Sequence, residues 1–543
     1  MPVPGSSYKL RSYMKKLHVR LAGLQTDWRS LQVARQVARH AAPQEGRKPV
    51  IIFNASTRLN TLSQNAGFAM LAGWAVQLAG WEVIHFVCQA GMSRCVLGTN
   101  QDDFSAAPPC PACMRQSSLN THAARVSPLT YRQDNDLQAS LKDLALDELI
   151  GFEYELADGR LPLGALVLPS ICWRLRRSTL PDDESTRYLF RQYMLSAWNV
   201  ACEFDALLQT AQPQAVLVFN GQFFPEAVAR WLCCQRGIFS VTHEVAMQPL
   251  SGFFTEGEAT AYPVDMPADF SLDGAQNARL DAYLEKRLQG NFSMAGIRFW
   301  PEMKTLEPVF LEKAAHFKQI VPVFTNVIFD TSQPHSNVVF KDMFAWLDMV
   351  LEVMRSHPET LFVLRAHPDE KRAGKVCLET VSDWVAENKV GELENVVFVD
   401  SLEYISSYEL IERSKFIMIY NSTIGLEAAI MGKVVLCGGK SRFTPYEIVF
   451  FPDTPAGYRQ QAENLLAAEQ VQVPVHFREN ARRFLYSLLY RSSLPFDAFI
   501  EASLVPGVIQ LKRFNWQEVA NSPVLKTVVQ GLVERIPFLY SQD

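Results

Sequence analysis

No run of about eighteen or more uninterrupted apolar residues occurs in this 543-residue chain, so the sequence offers no membrane-spanning helix. The amino terminus also lacks an apolar core followed by a small-residue cleavage site, which predicts a chain neither secreted nor inserted. Charge of one sign is scarce. Fifty-two Lys and Arg stand against 57 Asp and Glu, and the net charge of -5 removes the bulk attraction that a nucleic-acid partner needs. Fixed-period repeats and low-complexity tracts are missing, which excludes a solenoid or a fibrous protein. Apolar residues, by contrast, make up 48% of the chain, enough for large cores spread over roughly two to four domains.

The ten cysteines are used unevenly. Cys172, Cys202, Cys233, Cys234, Cys377 and Cys437 sit in apolar segments, as thiols do in a reducing cytosol, and predict a cytoplasmic protein. Cys88, Cys95, Cys110 and Cys113 instead cluster in a loop rich in Gly91, Gly98, Pro108, Pro109 and Pro111. Four thiols there suit either a structural zinc that fastens the loop or free, redox-active groups, with an iron-sulfur cluster a third arrangement. No ligand set with an open water position is visible, so no cofactor is expected for catalysis.

Residues 1–48 hold ten Lys or Arg against Asp27 and Glu45, a local charge of 10 - 2 = +8. Leu17, Leu21, Leu24, Trp28, Leu31 and Val33 recur there at near-helical spacing. The pattern predicts a basic amphipathic helix, either resting on anionic lipid at the inner membrane or packed on the body with its charges solvated.

From Pro49 the texture becomes β-α-β. Pro49–Phe53, Trp81–Val87, Ala215–Phe219 and Phe239–Thr242 read as strands, and Ala66–Ala79 and Pro225–Arg236 as helices. Residues 255–305 lack strand runs and read as a connection. A second series then begins, with strands at Val321–Val327, Leu361–Arg365, Val396–Val399, Phe416–Tyr420 and Val434–Cys437 and helices between them, a doubly wound parallel sheet by pattern. The expected domains are a basic helical segment (1–48), a first Rossmann-like lobe on the acceptor side (49–300), a second Rossmann-like nucleotide lobe (301–470) and a helical tail (471–543).

Ligands of open parallel sheets lie beyond the carboxyl ends of the strands. Polar residues at those ends in the second lobe are Asn326 and Asp330, then Arg365-Ala366-His367-Pro368, then Asn421-Ser422-Thr423. Ser422 and Thr423 stand between a strand and a helix, where a hydroxyl and backbone N–H groups suit a phosphate; taken alone, the pattern is better read as an ordinary helix cap. Arg365 would neutralise a leaving phosphate, and His367 would donate a hydrogen bond or a proton to it.

The segment from Arg365-Ala366-His367-Pro368-Asp369-Glu370 through Asn421-Ser422-Thr423-Ile424-Gly425-Leu426-Glu427 to Gly438-Gly439 and Tyr446 resembles the capsule polysaccharide biosynthesis family, which includes bacterial Kdo transferases. The resemblance covers about 150 residues. It implies a GT-B architecture, two Rossmann-like lobes with a cleft between them, and metal-independent, inverting transfer of a sugar from a nucleotide donor. It further implies that His367, Ser422 and Thr423 meet the donor phosphate and that Glu427 binds the ribose or base.

In the first lobe Asn220, Gly221, His243 and Glu244 come directly after strands, as do Asn54, Ser56 and Arg58. Glu244 or His243 would be the base that activates an acceptor hydroxyl, or Glu244 a structural hydrogen-bonding group. The usual acidic signature of the Kdo enzymes is not visible in this lobe, so the donor is a CMP-sugar or another nucleotide sugar. The expected partners are that donor and a polysaccharide or glycolipid acceptor. A CDP-polyol phosphotransferase, a sugar epimerase and a non-catalytic binding protein are the other readings of the same scaffold.

Overall fold

A computed structural model describes residues 5–56, 61–156, 159–288, 305–330, 332–372 and 376–540, with the side chains of 5–16 and 18 not described. Arg58 lies outside the described residues. The chain divides into two compact units: Met1–Ile171, Pro181–Pro263 and Leu489–Asp543 form the first, and Cys172–Leu180 with Val264–Leu488 the second. The expected boundaries near 300 and 470 therefore shift. The second unit starts earlier and borrows a short upstream segment, and the tail belongs to both units.

The first unit is built on strands β1 (Val50–Asn54), β2 (Val83–Cys88), β3 (Arg125–Leu129), β4 (Ala215–Phe219), β5 (Ser240–Val245) and β6 (Ser251–Thr255). They lie in the order β3-β2-β1-β4-β5-β6, extended by the two-residue strand Leu494–Pro495. Pairing is parallel from β3 to β5, with Val50 level with Val83 on one side and Ala215 on the other. β6 is antiparallel to β5. The continuous apolar runs of β1 and β4 result from this position, since a central parallel strand is covered on both faces. β3, with Arg125, Ser127 and Pro128, carries no apolar run; as an edge strand it tolerates proline and charge.

Helix α1 (Gly5–His40) buries Val33, Ala34 and Val37 in the core of this unit, beside α2 (Gln64–Leu78). Its carboxy-terminal half thus packs on the body. Leu17, Leu21, Leu24 and Trp28, one face at i, i+4, i+7, i+11, are exposed. Val524, Leu525, Val528 and Leu532 of the helix Pro523–Glu534 close the same core, so the tail is structural here. No described helix is long and apolar enough to cross a membrane.

The second unit has strands β7 (Gln319–Phe324), β8 (Thr360–Arg365), β9 (Val396–Val399), β10 (Ile417–Ile419) and β11 (Val435–Cys437), all parallel, in the order β9-β8-β7-β10-β11. The connections diverge between β7 and β10, so the loops after those two strands border one crevice of the sheet. Both units are α/β and doubly wound, as the pattern of the sequence predicts.

Candidate functional site

In the second unit the chain leaves β7 through Asn326 and β10 through Asn421. The Asn326 side-chain amide donates to Asn421 Oδ1 at 2.6 Å, and Asn421 Nδ2 donates to Ser336 Oγ at 2.6 Å. Asn326 Oδ1 accepts from the Val327 N–H at 2.8 Å. Ser422 is buried beside them, and Thr423 begins the seven-residue helix Ile424–Ile430 without a side-chain cap bond. The first-turn N–H groups of Gly425 and Leu426 already bond the carbonyls of Ser422 and Thr423. Any ligand here therefore meets the amides and hydroxyls of 421–423 more than a long helix end. Gly438 and Gly439 let the backbone after β11 lie on Trp346 and Tyr420; a Cβ on Gly439 would stand 2.9 Å from the Tyr420 ring.

His367 sits at the end of β8. Its Nδ1 accepts from the Asp369 N–H at 3.1 Å, which leaves the proton of the neutral ring on Nε2. Burial pulls the imidazole below its ordinary value, Asp369 raises it and Arg365 lowers it again. A neutral ring that donates from Nε2 is suited to hydrogen-bond a phosphate oxygen. Asp330 is exposed on the loop after β7, within electrostatic reach of this ring.

Two expected donor ligands are engaged elsewhere. Arg365 is buried and gives Nη1 to the carbonyls of Asp400 at 3.1 Å and Glu403 at 2.6 Å, so it braces the loop after β9. Burial brings its guanidinium down to about 10. Glu427 pairs with Arg287, whose Nε is 2.9 Å away, and also accepts from Tyr408. Burial lowers the Arg287 guanidinium, but the carboxylate outweighs it and the net shift is upward. Glu427 lies in a buried ion pair inside the lobe, because a carboxylate facing inward from a short helix must find a cation there.

In the first unit, Asn54, Ser56, Ser63, Asn65, Phe219 and His243 border a cavity of about 210 Å³ at the β1–β4 divergence. Glu244 is held by Asn65 Nδ2 at 3.0 Å, Asn220 Nδ2 at 2.9 Å and the Val245 N–H at 2.8 Å. Three donors on one carboxylate fix its orientation, which fits the structural alternative. His243 is buried against Phe254, and burial takes it to about 3, too weak a base for an acceptor hydroxyl at neutral pH. Asn220 and Gly221 both adopt left-handed backbone (φ 57° and 86°), turning the chain from β4 into helix α3 (Phe224–Gln235).

That turn delivers a residue to which the sequence pattern assigned no role. Glu226 is fully buried, accepts from Ser56 through Oε1 and leaves Oε2 without a partner. Burial pushes it up to about 7. Its position one turn into a helix after a strand was visible; its burial was not.

Cys88, Cys95, Cys110 and Cys113 do converge, on a cavity of about 30 Å³ that also borders Ala55, Val96 and Leu97. Burial raises the Cys88 thiol and takes Cys95 to about 12. Among the described residues no three His, Cys, Asp or Glu side chains are placed to hold a metal ion.

Residues 310–446 match the family described as capsule polysaccharide biosynthesis protein. The matched segment includes Asn326, His367, Asn421 and Ser422; the first unit lies outside the match. Protein FixF of Sinorhizobium fredii is 28% identical over 109 residues, 20% of this chain and 23% of that protein, so the chain spans about a quarter of the curated relative it matches. Solved structures similar to the chain include the KpsC β-Kdo 2,7-transferase of Thermosulfurimonas dismutans, at 14% identity over 59% of this chain and 87% of that one with a TM-score of 0.32. They also include the UDP-GlcNAc 2-epimerase of Neisseria meningitidis, at 13% identity over 81% and 98% with a TM-score of 0.26.

Proposed function

We propose that the protein is an inverting, metal-independent glycosyltransferase that moves a sugar from a nucleotide donor, CMP-linked and Kdo-like, to a growing capsule or surface polysaccharide or its lipid-linked acceptor. The observation that carries this reading is the hydrogen-bonded junction of Asn326, Asn421 and Ser336 within the capsule-synthesis segment, at the divergence point of a parallel sheet. The donor phosphate binds His367, Ser422 and Thr423. An acceptor hydroxyl attacks the anomeric carbon, the bond from that carbon to the phosphate oxygen breaks, and the hydroxyl proton passes to a base.

The exposed apolar face of α1, flanked by exposed Arg20, Arg35 and Arg39, supports a place on the cytoplasmic face of the inner membrane, near a lipid-linked acceptor. The test is a thermal-shift panel of nucleotide sugars, followed by product analysis with the donor that binds. Sugar transfer with inversion is the expected product. Transfer of a polyol phosphate, or an epimerised nucleotide sugar, replaces this reading; folded protein that binds no nucleotide removes it in favour of a binding role.

A further inference from the structure

The segment Cys172–Leu180 lies within the second unit although it comes after Ile171 of the first in sequence. It is pinned there: the Leu378 N–H donates to the Arg176 carbonyl at 3.0 Å, and Glu379 accepts from the Ser178 N–H at 2.8 Å and the Ser178 hydroxyl at 2.9 Å. These contacts hold Arg176 in left-handed backbone, φ 55°, a conformation disfavoured for a long side chain. Arg176 is 7% exposed, with Cζ 4.3 Å from the centre of the Trp173 ring and 4.6 Å from that of Phe329. The two rings cover the guanidinium and leave its edge for hydrogen bonds. On that edge Nε and Nη1 are buried without a partner, and no carboxylate among the described residues pairs with it.

A buried guanidinium with two unmet N–H groups is costly unless something supplies an acceptor. Phe329 belongs to the loop that carries Asn326 and Asp330, and Cys377, whose N–H bonds the Glu370 carbonyl, ties the segment to the loop that carries His367. The unmet donors thus stand beside the two loops already assigned to the donor. Cation–π contact with Trp173 and Phe329 offsets part of the charge but accepts no hydrogen bond in the plane of the group.

We propose that Arg176 is an oxyanion-binding residue of the second unit, its edge receiving either the phosphoryl group of the nucleotide or the carboxylate of an acidic donor sugar. The identity of the ligand rests on the glycosyltransferase reading; the existence of an oxyanion site does not.

The experiment uses the full chain and its Arg176→Met and Arg176→Lys variants, with sulfate, cytidine 5′-monophosphate, cytidine and pyruvate as probes in thermal shift and calorimetry. Removing an unpaired buried charge leaves Arg176→Met as thermally stable as the wild type or more so, and it loses at least tenfold in affinity for sulfate. Arg176→Lys keeps the charge without the fork and retains part of that affinity. A matching loss for the monophosphate but not for pyruvate identifies the phosphoryl group; the reverse identifies the carboxylate. Equal sulfate binding by wild type and Arg176→Met overturns the proposal, as does a melting temperature in Arg176→Met that falls as for a core truncation. Sulfate binding that depends on Arg176 without any nucleotide binding leaves the oxyanion site standing and removes the glycosyltransferase reading.

Discussion

Asn326 and Asn421, at the ends of the neighbouring parallel strands β7 and β10, are joined amide to amide at 2.6 Å. The bond ties the two loops that leave the sheet in opposite directions. Replacing Asn326 with Ala should cost about 1 kcal/mol of stability, the usual worth of one such bond. It should cost more than tenfold in nucleotide affinity, because both loops lose their register. Thermal denaturation and calorimetry on the same variant separate the two effects. A loss of stability with unchanged affinity would remove the junction from the site.

His367 should act as a neutral donor. Its ring is held below the ordinary range and accepts at Nδ1, so nucleotide affinity should change little between pH 6.5 and 8 on its account. His367→Gln, which can still donate, should retain more affinity than His367→Ala. Equal losses in the two variants would show that hydrogen-bond donation is not its role.

Glu226 makes stability depend on pH in a definite direction. Its folded value is raised to about 7 from an ordinary 4.5, so the folded state binds the proton more tightly than the unfolded one. Its contribution is fully present below 4.5 and is lost as pH rises through 7. Glu226→Gln should therefore gain on the wild type between pH 5 and pH 8, by up to about 3 kcal/mol. His85 and His243, lowered by burial to about 4 and about 3, run the other way: each destabilises the fold as pH falls below 6.5. Glu226→Gln is thus steeper with pH than the wild type, in which the histidines and Glu226 oppose each other, and denaturation at pH 5 and pH 8 checks this.

Glu427 and Arg287 form a buried pair, so Glu427→Ala strands a cation and should cost about 3–5 kcal/mol. Lowered thermal stability with unchanged nucleotide affinity at a temperature where the variant stays folded is the expected result. A selective loss of nucleotide affinity would restore the ribose or base contact implied by the family resemblance.

Chelation should leave the protein intact. With no group of three His, Cys, Asp or Glu side chains among the described residues placed to hold a metal ion, prolonged treatment with a strong chelator should not change the melting temperature, and metal analysis should find no stoichiometric zinc. A chelator-dependent fall in melting temperature would reinstate the cysteine site.

The strand ends at 326, 367 and 421 were legible because buried parallel strands announce themselves as apolar runs and set the residues after them at the carboxyl edge of the sheet. The α/β class was legible for the same reason, whereas the likeness of 310–446 to the capsule polysaccharide biosynthesis family rested on the motifs around His367 and Asn421. The tertiary structure alone decided which polar residues at those ends remain available. Arg365 turned to the carbonyls of Asp400 and Glu403, Glu427 to Arg287, and Glu244 to two amides, while Glu226 and Arg176 came to lie buried with unmet hydrogen-bonding atoms. A linear pattern records periodicity, whereas the partner of a charge is set by residues that the fold brings from far along the chain, as Arg287 meets Glu427 across 140 positions.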